Sequence, residues 1–198
     1  MNFKRQLLAD ELTEILGSAR DEYARCQEED WAAQAKAGAE AIDKRNFAFG
    51  ENRERADRVI TSARARAVSA IDRRIKEAER AMTDPPTTEE ANFITAIRGR
   101  TDLTADEMNA ALGRYRSHAA QKAIYTAAKA SELVRGGHMT EAERDLHDLR
   151  GLMSSVEDTY TSDFGNMTRG QTAITANGYK VYAEGGDCND AISSIFGQ

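Results

Sequence analysis

No proline interrupts the chain before Pro85, and up to that point apolar residues recur at helical spacing. Proline removes a backbone donor and clashes with the preceding turn, so a stretch this long without it is free to run as helix. Leu8, Leu12, Ile15, Ala19, Tyr23 and Cys26 form one stripe, and Ala56, Ile60, Ala63, Ala67, Ile71, Ile75, Ala78 and Met82 form a second. Unbroken, residues 1–83 would make a helix of about 120 Å at 1.5 Å per residue. The candidate interruption is "FAFGEN", where Gly50 can cap one helix and start a turn.

Charge chooses among the arrangements. Residues 1–43 hold 5 Lys and Arg against 10 Asp and Glu, whereas residues 44–80 hold 11 against 6. A hairpin folding near Gly50 sets acid against base, and so does an antiparallel coiled coil of continuous helices. Parallel self-pairing would oppose like charges. We read a hairpin, with exposed ion pairs setting its orientation more than its stability.

The break after this segment is "DPP" at Asp84 to Pro86. Beyond it, "TTEE" at Thr87, "TADE" at Thr104 and "TEAE" at Thr140 are Thr-x-x-Glu capping boxes, each placing a helix N-terminus. After Thr140, Ala142, Leu146, Leu149, Met153, Val156 and Tyr160 follow a heptad-like spacing, a seam for helix packing or for a partner. After Thr104, Met108, Leu112, Tyr115 and Ala119 make another stripe, continuing toward Leu133-Val134 and ending at Gly136-Gly137 as a C-cap. The plain expectation is that these two helices pack on each other in one bundle.

The texture changes near the end. "TAITANGYKVYAEGG", Thr172 to Gly186, reads as a β-hairpin around Asn177-Gly178, the preferred pair for a type I′ turn. A lone two-stranded hairpin is marginal in water, so it must lean on its own helices, a neighbouring subunit or another protein. Ile174, Tyr179 and Val181 on the hairpin, with Ile195 and Phe196 beyond it, are the residues for such docking; capping of the chain's own bundle is the alternative. The expected architecture is mainly α: a long helical hairpin or coiled coil over 1–83, a helical bundle over 87–165, and a β-hairpin and tail over 166–198.

Chemistry-bearing patterns are sparse. Cys26 and Cys188 lack a CxxC pattern, and His118, His138 and His147 are scattered without ligand spacing, so no metal site, cofactor or catalytic residue is assigned. "DFG" at Asp163 to Gly165 lacks the other kinase signatures, and "GGDCND" lacks the calcium-loop pattern. No apolar run reaches the length of a membrane span, so the expectation is an intracellular, non-enzymatic protein without membrane contact. Arg64, Arg66, Arg73 and Arg74 could meet the phosphates of nucleic acid or an acidic partner. Asp57, Asp72, Glu77 and Glu79 interleave with them in a chain of net charge −6, which favours a solvated or internally paired face.

The stretch "RTDLTADEMNAALGRYRSHAAQKAIYTAAKA", preceded by "TTEEANFITAIRGR" and a long charged helical N-terminus, resembles small helical proteins encoded among the structural genes of tailed bacteriophages. The resemblance implies a virion or capsid-assembly role: a scaffold, a head accessory or a connector component. Such proteins act by homo-oligomerisation and by docking on another structural protein such as capsid or portal, cytoplasmic during assembly and then within the virion. Scaffolds usually finish in a basic helical element, whereas this sequence finishes in "GDCNDAISSIFGQ". A permanent structural component is therefore preferred over a transient scaffold, with a nucleic-acid-binding helical protein using the arginine-rich face 53–80 as the alternative.

Overall fold

A computed structural model describes residues 3–42, 46–158, 173–176 and 179–182. The chain is mainly helical: α1 (Phe3–Lys36), α2 (Gly50–Thr83), α3 (Thr88–Ile97), α4 (Ala105–Arg114), α5 (His118–Ala130) and α6 (Glu141–Asp158). Two short strands follow, β1 (Ala173–Ala176) and β2 (Tyr179–Tyr182), antiparallel with Ala176 opposite Tyr179. The turn pair Asn177-Gly178, the side chains of Ile174, Tyr179 and Val181, and all of Tyr160, Ile195 and Phe196 lie outside the described residues.

The described residues form two compact units, one of those up to 73 together with those from 150 onward and one of 74–149. Helices α2 and α6 each contribute residues to both units.

In the first unit α1 and α2 are separate antiparallel helices. Arg55 pairs with Glu22 at 2.7 Å and Glu29 at 2.6 Å, and Arg73 pairs with Glu11 at 2.8 Å, so partners recede along α1 as they advance along α2. Leu8, Leu12, Ile15, Leu16 and Ala19 of α1 are buried, as are Ala56, Ala63, Ala67, Ala70 and Ile71 of α2. The end of α1 lies earlier than "FAFGEN". Gly38, at φ +78°, donates to the Ala35 carbonyl at 3.2 Å, while Ala39 donates to that of Gln34 at 3.2 Å, a Schellman closure that needs the left-handed backbone glycine adopts readily. Gly50 does not cap α1; it is the first residue of α2.

In the second unit the three capping boxes are complete. Each threonine hydroxyl accepts from the amide of its glutamate, at 3.2, 3.2 and 3.3 Å for Thr87, Thr104 and Thr140. Each glutamate carboxylate accepts in return from its threonine's amide, at 3.0, 2.9 and 2.9 Å. The core gathers Ile97, Leu103, Ala111, Ile124, Ala127 and Ala128, with Phe93 stacked on Tyr115 at 4.0 Å between ring centroids.

The helix opened at Thr104 does not continue toward Leu133. It stops at Arg114, Tyr115 turns extended, and Ser117 caps a new helix by accepting from Ala120 at 3.3 Å. The Ser117 amide is taken by the Glu90 carboxylate at 3.0 Å, a contact from another helix that gives the break its tertiary support. Nor does Gly136-Gly137 provide the C-cap. Helix α5 closes at Ala130 in a second Schellman arrangement, with Glu132 at φ +59° and Leu133 donating to the Ala128 carbonyl at 2.9 Å.

Candidate interaction surfaces

On α6 the packed face is rotated from the expected seam. Leu149, Leu152 and Val156 are buried, whereas Leu146 and Met153 are partly exposed. Leu152 is absent from the expected seam, which passed from Leu149 directly to Met153. The spacing 149, 152, 156 is equally helical, and a seven-residue template applied to a single helix favours the wrong neighbour.

Three of the four candidate arginines are engaged within the chain. Arg64 lies 3.8 Å from Glu157, Arg73 donates to both Glu11 oxygens at 2.8 and 3.0 Å, and Arg74 pairs with Glu77 one turn along α2. Arg66 is exposed and borders a cleft of about 520 Å³ between α1 and α2. Glu11 and Glu14 share that cleft, so its field is mixed rather than anion-attracting.

One buried polar group with four donors around it has no signal in the sequence. Asp30 on α1 is fully buried, and its carboxylate accepts from the amides of Ala48 and Phe49 at 2.9 Å each, from Gln34 Nε2 at 2.8 Å and from Asn52 Nδ2 at 3.3 Å. Phe49 precedes α2 and its carbonyl accepts the helix's first bond from Arg53, so the carboxylate sits at the positive end of α2. Burial opposes the charge, but the Ala48, Gln34, Phe49 and Asn52 donors outweigh it and hold Asp30 below the ordinary carboxylate range. No local motif announces this role, since the donors lie 18 to 22 residues away apart from Gln34.

His118 Nδ1 is 2.9 Å from the hydroxyl of Thr140, a pairing of a basic ring with an alcohol. Thr140 is fully buried and its oxygen already accepts the Glu143 amide, so the hydroxyl serves as a helix cap that His118 completes. Gln121 is similarly buried and accepts the Glu141 amide at 2.8 Å, fastening the start of α6 to α5. Cys26 is buried, and that burial pushes its thiol upward. Among the described residues no group of three or more His, Cys, Asp or Glu could hold a metal ion, and no helix is long and apolar enough to cross a membrane.

Two apolar grooves open on the second unit. One, of about 320 Å³, lies between α3 and α4, with Phe93, Leu103 and Tyr115 among its walls. The other, of about 430 Å³, lies between α3 and α5, floored by Ile94, Ile97, Ala123 and Ala127 and edged by Arg98 and Lys122.

No protein-family model matches this chain, and no match was found among curated proteins or solved structures.

Proposed function

We propose that this chain is a non-enzymatic structural protein, a phage virion or capsid-assembly component, that works by self-association and by docking on another structural protein such as a coat or portal subunit. The observation that carries the reading is how its buried polar groups are used. Among the described residues, buried Asp30, Thr140 and Gln121 all fasten helix ends, which supports a role built on holding helices in place. Internal pairing of Arg64, Arg73 and Arg74 weighs against the nucleic-acid alternative, because a phosphate would have to displace a carboxylate at each.

The test is absolute mass by light scattering coupled to size exclusion, over a range of concentrations, for the full chain and for one ending at Gly170. A defined oligomer that dissociates on shortening is the expected result, and a monomer for both chains at every concentration overturns the self-association.

A further inference from the structure

The two grooves differ in what they offer a ligand. Around the α3–α4 groove Arg100 is held by Asp102 and Glu107, and Arg114 by Glu89, so its cations are already neutralised. Beside the α3–α5 groove, the exposed Arg98 guanidinium has no carboxylate partner among the described residues. Lys122 is held by Glu143 at 2.7 Å, so the uncompensated cation beside this groove, among the described residues, is Arg98. The groove therefore presents an apolar floor beside a positive edge. An occupant must be short, apolar on one side and acidic.

The chain carries such a segment. After Lys180 there is no further lysine or arginine, while Glu184, Asp187 and Asp190 lead into Ile192, Ile195 and Phe196. Ile195 and Phe196 follow Ile192 by three and four residues, the sequence spacing by which short helices present anchors to grooves.

Resting on the self-association reading above, we propose that the Asp187–Phe196 segment of a second copy docks in the α3–α5 groove. Ile192, Ile195 and Phe196 cover Ile97 and Ala123, and Asp187 and Asp190 face Arg98. Groove and segment are different surfaces, so the contact is heterologous and assembly proceeds head to tail, closing into a ring or extending as a filament.

Two double variants test this. Arg98→Glu with Thr126→Glu places negative charge at exposed positions of the groove and leaves the segment intact. Ile195→Asp with Phe196→Asp spoils the segment and leaves the groove intact. Each alone should weaken self-association by about tenfold or more, and an equimolar mixture should form a one-to-one complex that stops at two copies. Native mass spectrometry and light scattering read both results. If the wild-type chain associates and either variant associates as well as it does, or if mixing fails to restore a pair, the segment is not the occupant although the assembly reading stands. A wild-type chain that stays monomeric throughout removes the assembly reading and this inference together. Should circular dichroism show that the groove variant has not folded, a labelled peptide of residues 187–198 titrated with the full wild-type chain decides, and no saturable binding overturns the proposal.

Discussion

Asp30 joins two helices with one side chain. Its carboxylate satisfies the amides of Ala48 and Phe49 at the mouth of α2 while Gln34 steadies it from its own helix. Removing the carboxylate leaves the Ala48 and Phe49 amides without their partner and empties a buried position on α1, so Asp30→Ala should destabilise the chain by about 1–3 kcal/mol in urea unfolding. Asp30→Asn keeps one acceptor but gives up the charge at the α2 terminus, and should cost about half as much. An Asp30→Ala chain as stable as wild type would mean that Gln34 and Asn52 can close the turn without the acid.

Helix ends show why some elements were legible in the sequence and others were not. The capping boxes at Thr87, Thr104 and Thr140 could be read because donor and acceptor lie within four residues of each other. The stop at Arg114 could not, because its support is Glu90 reaching Ser117 from another helix. Gly38, two residues past Lys36, did carry a local stop signal in "KAGAE", yet the aromatic-flanked Gly50 drew the assignment. The acid-to-base matching of residues 1–43 and 44–80 is present as Glu22, Glu29 and Glu11 against Arg55 and Arg73, because gross charge survives ignorance of which rotamer makes each pair. On α6 the face was misjudged by one step, from Leu152 to Met153, for want of knowing what it packs on. The end of α5 offers an element-scale test. Glu132 occupies the left-handed position of a Schellman closure, strained for a side chain with a Cβ. Glu132→Gly should raise stability by about 0.5–1 kcal/mol, read as a higher urea midpoint at unchanged slope, whereas Glu132→Ala should give no such gain.

At the scale of the molecule, six carboxylates share one direction of response to acid. The Arg55 guanidinium holds Glu22 low, and the donors around Asp30 overcome its burial. In the other unit the Ser117 amide holds Glu90 low, Arg100 holds Asp102 low, and the Thr104 amide holds Glu107 low. Burial works against Glu143, but Lys122 and the Thr140 amide still leave it below its ordinary value. A carboxylate whose folded value is depressed contributes stability that is full above its unfolded value, about 4, and is lost as pH falls through the folded one. Both units hold such groups, so acid should weaken both, with stability level from pH 7 to about 5 and falling steeply below about 4. Removing the Asp30 charge isolates one share of that loss. Asp30→Asn should therefore differ most from wild type at neutral pH, and the two urea midpoints should converge as pH drops below about 4. A gap that stays constant down to about pH 2 would show that the α2 terminus is held by hydrogen-bond geometry and that the charge on Asp30 adds nothing to it.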